Sequence, residues 1–159
     1  MTRSKLITFL ATAAVVPLIA VTAVTAAPAA PARAQTRSTH TATVRVVHSR
    51  LGRILVSSNG RTLYLFKADS RRKSACFGAC ATAWPPLLAT GKPTAGAGLT
   101  ASKVGTITRS GRERQVTYNG HPLYLFIGDK KPGDVHGQGV TAFGAAWFAL
   151  SPAGHQIAG

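Results

Sequence analysis

Cys76 and Cys80 are the only cysteines in a chain of 159 residues, and their Cys-x-x-x-Cys spacing holds its most reactive side chains. The spacing is neither the Cys-x-x-Cys of dithiol oxidoreductases nor the Cys-x-x-Cys-His of haem attachment. In an oxidising compartment an even cysteine count defaults to a disulfide. Closing so short a loop contributes about 2 kcal/mol on the loop-entropy model, and its task is to shape the segment ahead of Trp84-Pro85-Pro86. The alternative is a reduced thiolate pair. Soft sulfur suits Cu(I), and His121 or His136 would complete the ligand set of a protein handling copper, haem or electrons in the cell envelope. No histidine stands beside the cysteines, and His40, His48 and His155 fall in flanking or terminal segments. The expectation is therefore a structural disulfide, with no metal and no cofactor.

Only four carboxylates are present, Asp69, Glu113, Asp129 and Asp134. Calcium asks for six to eight oxygens, more than a site shared by Asp69 and Asp129 of the two repeats would supply, so neither an acid-cluster metal site nor extensive acid–base machinery is expected. There is no nucleophile elbow, phosphate-binding glycine loop or His-Glu-x-x-His, and no catalytic residues are expected. Asp69 and Asp129 each close an apolar run and open a polar loop, where an Asp accepts backbone N–H bonds and fixes a turn; Asp134, in Pro132-Gly133-Asp134, reads the same way. Tyr64 and Phe66 lie two residues apart, so on a strand they share one face, with Leu63 and Leu65 on the other. Tyr124 and Phe126 repeat that arrangement. One reading is an aromatic platform for a ligand ring, sugar or haem. The expected one is core, with the aromatics packed across an interface between two similar units.

Those units are visible as an internal repeat. Asn59-Gly60-Arg61-Thr62-Leu63-Tyr64-Leu65-Phe66 returns 60 residues later as Asn119-Gly120-His121-Pro122-Leu123-Tyr124-Leu125-Phe126, Asp69 returns as Asp129, and Trp84 has a looser counterpart in Trp147. A repeat of this kind signals one supersecondary unit used twice. β-rich runs at 53–57 and 61–66 flank Asn59-Gly60, and runs at 114–118 and 122–127 flank Asn119-Gly120, which predicts two hairpins with type I′ turns. Further short strands are expected at 44–48, 103–108 and 147–150, one helical turn at 79–84 stopped by Pro85-Pro86, and a terminal turn over Ser151 to Gly154. The fold class is mainly β: two tandem pseudo-symmetric β-hairpin repeats packed into one small domain over 44–159. Repeat one spans about 44–88, a Gly/Ala/Thr linker 89–102, and repeat two about 103–154. A lone hairpin cannot bury both its faces, so the repeats must pack on each other.

The charge is lopsided: 19 Lys and Arg against 4 acids, a net +15. Arg3 and Lys5 precede an apolar run from Leu6 to Val24 and an Ala32-Arg33-Ala34 site, the pattern of a secretory signal peptide over 1–34, rather than of a retained anchor. Residues 35–43 read as a disordered lead-in. Removing 1–34 deletes three bases and leaves a net of +12. No other run is long and apolar enough to span a bilayer. Basic clusters at Arg71-Arg72-Lys73, Arg109 to Arg114 and Lys130-Lys131 point to anionic envelope polymers or lipid headgroups as partners. No nucleic-acid-binding motif accompanies them, so a specific nucleic acid is not expected.

Two copies of Tyr-x-Phe-x-x-Asp, at 64–69 and 124–129, together with Cys76-Phe77-Gly78-Ala79-Cys80, Trp84-Pro85-Pro86, Gly137-Gln138-Gly139, Phe143-Gly144 and Trp147, resemble a bacterial family of secreted repeats of unknown function, also described as predicted lipoproteins with a Tyr-x-(Phe/Trp/Tyr)-x-x-Asp motif. The likeness covers about Leu51 to Gly154. It implies export and a paired-repeat β fold, and it implies no activity. The chain lacks the lipidation cysteine of lipoprotein members. Taken together, the sequence reads as a non-enzymatic extracytoplasmic binding or interaction module.

Overall fold

Short apolar runs broken by Gly, Asn and Pro can build only short strands, and the computed structural model, which describes residues 41–158, is assembled from them. The expected signal peptide and most of the expected lead-in lie outside the described residues. β1 (Thr43–Ser49) and β2 (Gly52–Val56) form an antiparallel hairpin, and β3 (Tyr64–Phe66) follows. A single helical turn, α1 (Ala79–Ala83), precedes β4 (Thr94–Ala95). The second half runs β5 (Val104–Thr108), β6 (Arg114–Tyr118), β7 (His121–Pro122), β8 (Thr141–Ala142) and β9 (Ala145–Ala149). They make three small sheets, ordered β2-β1-β4, β3-β9-β8 and β5-β6-β7. Two segments are more ordered than their composition suggests. Ala42 is buried and Thr43 opens β1, while residues 89–102 contribute β4, parallel to β1, and a 3-10 turn at Ala101–Lys103.

The two repeats do not sit side by side as closed units; each lends its last segment to the other. β3 of repeat one pairs with β9 of repeat two in the register Tyr64↔Ala149, Leu65↔Phe148, Phe66↔Trp147. In the matching place, the Leu125 amide donates to the Pro85 carbonyl and Ile127 to Ala83, so the end of repeat one receives the second motif. Two triads of backbone bonds state the symmetry in detail. Leu63 donates to Leu55, Leu55 to Leu150 and Leu150 to Leu63; Leu123 donates to Val116, Val116 to Leu87 and Leu87 to Leu123. At the centre Tyr64 and Tyr124 exchange both amide bonds, at 2.9 and 3.0 Å, which places a pseudo-two-fold axis between the two motif tyrosines.

Both faces of the motif strands are covered, as their uninterrupted apolar character requires. Tyr64, Phe66 and Tyr124 join Trp84, Trp147, Ile54, Val56, Cys76 and Cys80 in one cluster, and Leu63, Leu65 and Leu123 join Leu55, Val116, Tyr118 and Leu150 in the other. The expected runs at 61–66 and 122–127 are not single strands, because each chain changes partner midway: Thr62 bridges Val56 before β3 turns to β9, and Pro122 pairs with β6 before Tyr124 bridges Tyr64 and Pro86.

The two Asn-Gly turns differ. Tyr118 pairs directly with His121, and Asn119 (φ 50°) and Gly120 (φ 82°) both take the left-handed region of a type I′ turn. The first turn departs from expectation. The Ser57 amide bonds to the Arg61 carbonyl and the Gly60 amide to the Ser57 carbonyl, and of Asn59 and Gly60 only Gly60 (φ 76°) is left-handed. That is a three-residue loop over Ser58, Asn59 and Gly60, with glycine at its bulge position.

Candidate functional site

The motif residues meet at the two-fold axis, where each tyrosine is crossed onto the aspartate of the other repeat. The Tyr64 hydroxyl donates to Asp129 Oδ2 at 2.7 Å, and the Tyr124 hydroxyl to Asp69 Oδ2 at 2.9 Å. The second oxygen of each carboxylate holds its own loop: Asp69 Oδ1 accepts from the Ala75 amide at 2.7 Å, and Asp129 Oδ1 from the His136 amide at 2.9 Å. The pair thus ties the loop that follows each motif to the central strand of the opposite repeat. Asp129 is buried, whereas Asp69 is half-buried and its carboxyl is pushed up to about 6, chiefly by burial, against the pull of the Ala75 amide, the Tyr124 hydroxyl and the Arg109 charge. Burial also drives both phenols well above the ordinary tyrosine range, reinforced by the neighbouring Asp129 at Tyr64 and Asp69 at Tyr124. They act as neutral donors.

Around these clamps six rings form a symmetric cluster. Phe66 stacks on Trp147 at 4.1 Å, Trp147 on Trp84 at 4.0 Å, and Trp84 on Phe126 at 4.2 Å between centroids. Tyr64 meets Trp84 edge-on, and Tyr124 meets Trp147 edge-on. Each contact contributes about 0.5–1.5 kcal/mol beyond the area it buries. The rings are filled by one another, so they pack the core between repeats and present no open platform. Asp134 fixes a turn, with Oδ2 accepting from the Lys130 and Lys131 amides at 2.8 and 2.9 Å. Those two bonds hold its carboxyl below the usual range.

Cys76 and Cys80 are joined in a disulfide, with Cα atoms 5.3 Å apart, and both are buried. The four candidate ligands do not converge. His121 borders a cavity with Lys67 and His155, whereas the exposed His136 lies 3.4 Å from Asp129. Among the described residues no group of three or more His, Cys, Asp or Glu side chains is placed to hold a metal ion.

One polar residue of the interior was not anticipated. Arg109, grouped by sequence with a surface basic cluster, is buried. Its guanidinium donates to Ser74 Oγ at 2.7 Å, Gln115 Oε1 at 2.8 Å and the Cys76 carbonyl at 2.7 Å, and lies 4.6 Å over the Phe77 ring. Ser74 Oγ in turn meets the Tyr124 hydroxyl at 2.7 Å, so Arg109 ties the disulfide loop to the first clamp. The available signal is alternation, since Arg109 stands two residues after the buried Ile107 and therefore on the inward face of β5 extended.

The remaining basic clusters stay outside. Arg71, Arg72 and Lys73 are exposed, as are Lys130 and Lys131. Each basic loop lies against the turn of the other repeat: the Arg72 amide bonds to the Gly120 carbonyl at 2.9 Å, and the Gly133 amide to the Gly60 carbonyl at 3.4 Å.

A family model described as a secreted repeat of unknown function matches the chain twice, over residues 45–88 and 105–151. These two segments contain the two crossed clamps, the disulfide and the stacked tryptophans. No curated protein and no solved structure matches the chain.

Proposed function

The chain belongs to this family of extracytoplasmic, secreted repeats of unknown function, and we propose that it works there as a non-enzymatic binding module for anionic material of the cell envelope. The observation that carries this reading is where the charges go. Asp69 and Asp129 are turned inward onto tyrosines and loop amides, and Asp134 onto the amides of Lys130 and Lys131. Among the described residues Arg109 is the one buried cationic side chain, and those of the two motif loops face solvent. A surface with many exposed bases and a single exposed acid, Glu113, sets up a positive field that concentrates polyanions.

The test is retention on phosphatidylglycerol vesicles and on isolated anionic cell-wall polymer between about 20 mM and 500 mM salt, a range over which the screening length shrinks severalfold. Retention at low salt that falls steeply as salt rises supports the reading. No association at low salt, or association indifferent to salt, rejects it.

A further inference from the structure

The two motif loops are related by symmetry, and the first of them opens a cationic groove. We propose that the groove between the Arg71–Arg72 loop and the Asn119–Gly120 turn, with Lys103 on its far wall, is a binding site for the phosphate groups of an extended polyanion. This deepens the reading above, on which it rests.

The groove has a volume of about 530 Å³ and is lined by Arg71, Arg72, Ser102, Lys103, Thr117 and Asn119, together with Val104, Gly105 and Gly120. Two arginines and a lysine line it with the hydroxyl residues Ser102 and Thr117, and no carboxylate does. The Lys103 ammonium donates to the Ala153 carbonyl at 2.8 Å and the Asn119 amide to the Gly154 carbonyl at 3.2 Å, which leaves the two guanidiniums as the main donors to an anion. Guanidinium forks match phosphate oxygens two at a time, which favours an anion here. No aromatic ring lines it, so recognition falls on the charged groups of a chain rather than on stacked sugars or bases. Gly120 makes the approach possible: a Cβ there would stand 3.1 Å from Arg71 Nε.

The backbone gives the independent argument. Arg72 is held at φ 61°, a conformation that L side chains rarely adopt. In the other repeat the residue making the equivalent amide bond to the turn glycine is Gly133, at φ 87°. The fold is thus content with glycine at this position, and repeat one places a long cationic side chain there at a steric cost. An outlier of that kind, kept where the fold does not need it, points to a use for the side chain. The second loop also carries its own counter-charge, Asp134, under Lys130 and Lys131. In the first loop the only carboxylate, Asp69, is turned away to Tyr124 and Ala75.

A smaller cavity of about 260 Å³ on the other side of the turn is bordered by Phe66, Lys67, Asp69, His121 and His155. Burial lowers the pKa of His121, and the charges of Arg71, Lys67 and His155 lower it further, which favours the neutral imidazole, while Asp69 sets a carboxylate beside Lys67. The phosphate-binding role therefore falls to the groove on the Arg71–Arg72 side of the Asn119–Gly120 turn.

The experiment measures binding of linear inorganic polyphosphate, with polygalacturonate as the carboxylate comparison, to the protein and to two triple variants of equal charge. One removes the groove (Arg71→Gln, Arg72→Asn, Lys103→Gln), Asn being chosen because it tolerates positive φ. The other removes Arg45, Arg50 and Arg53 from the β1–β2 hairpin, each to Gln. Near-ultraviolet circular dichroism of the stacked tryptophans verifies the fold of both. The expected result is at least a tenfold loss for the groove variant against about twofold for the hairpin variant, with polyphosphate preferred over polygalacturonate. Equal losses in the two variants overturn the groove while leaving the anionic-surface reading intact. Equal binding of the two polymers overturns the phosphate assignment. No binding of either polymer by the unaltered protein at low salt removes both proposals.

Discussion

Removing a single hydroxyl from each crossed clamp separates the two halves of the fold by burial alone. Tyr64→Phe deletes a donor to Asp129, which is 1% exposed, and also the acceptor of the Gly137 amide at 3.2 Å. Tyr124→Phe deletes a donor to Asp69, which is half-buried and keeps the Ala75 amide, while Ser74 keeps Arg109. A hydrogen bond to a charged group contributes about 1.5–3 kcal/mol, and a buried polar group left unsatisfied costs about 1–3 kcal/mol. Tyr64→Phe incurs both costs, so the expected loss is about 3 kcal/mol. At Asp69 water replaces part of the lost bond, and the expected loss for Tyr124→Phe is about 1.5 kcal/mol. Urea unfolding with the disulfide intact reads the difference, since at a slope of about 1–1.5 kcal/mol per molar the midpoints fall by roughly 2 M and 1 M. The clamps share no hydrogen bond, and a cycle between Tyr64→Phe and Asp129→Asn should show coupling of about 1 kcal/mol or more. If Tyr64→Phe costs less than 0.5 kcal/mol, or no more than Tyr124→Phe, then these motifs do not hold the repeats together by buried charge-assisted bonds, and the reasoning fails.

Three further expectations follow from single contacts. Gly137→Ala places a Cβ 2.8 Å from both the Trp84 and Tyr64 rings, which are locked in the aromatic cluster, so melting should register a loss of about 2–3 kcal/mol. Asn119→Ala forces alanine to φ 50° and also removes a 3.2 Å bond to the Gly154 carbonyl, whereas Asn59 is not in the left-handed region; denaturation should show about 1 kcal/mol or more for the first and near neutrality for the second. Asp69 titrates near 6 in the fold, above its unfolded value near 3.8, so the folded state binds the extra proton between them. Its contribution is greatest below about pH 4 and is lost as pH rises through 6, and the stability difference between wild type and Asp69→Asn should fall over that window by an amount on the order of 1 kcal/mol after allowance for its partial exposure.

Much of this architecture is written in local periodicity, and what is not depends on pairings distant in sequence. Alternation assigns Tyr64 and Phe66 to one core and Leu63 and Leu65 to the other, and position at a strand end assigns Asp69 and Asp129 to their loops. Alternation cannot say that Tyr64 reaches Asp129 rather than Asp69, because that choice follows from the exchange of terminal segments between repeats. The same exchange puts Phe66 on Trp147 and Trp84 on Phe126, a crossing invisible in either repeat alone. Asn-Gly fits two kinds of hairpin, and the choice at Asn59 is made by the Ser57–Arg61 closure, which leaves three residues in the loop instead of two. Arg109 shows the limit of composition, since a charge in a basic run is read as surface until its alternation with Ile107 is weighed.

The symmetry itself separates scaffold from function. Wherever the repeats agree, the agreement is explained by folding: the crossed clamps, the stacked rings, the twin backbone triads and the glycine-capped turns each need their counterpart to close. Their preservation demands no ligand. The places where the repeats disagree are not so explained. Arg72 stands where Gly133 suffices, and the disulfide loop has a glycine-rich loop opposite it. His121 replaces Arg61, whose guanidinium reaches the Phe126 carbonyl at 2.6 Å, and beside the shorter His121 a cavity lies open. Two of these departures, Arg72 and His121, fall around one turn, Asn119–Gly120. A duplicated fold acquires a specific site by relaxing its symmetry locally, and in this protein that relaxation is concentrated on the cationic side of the second hairpin.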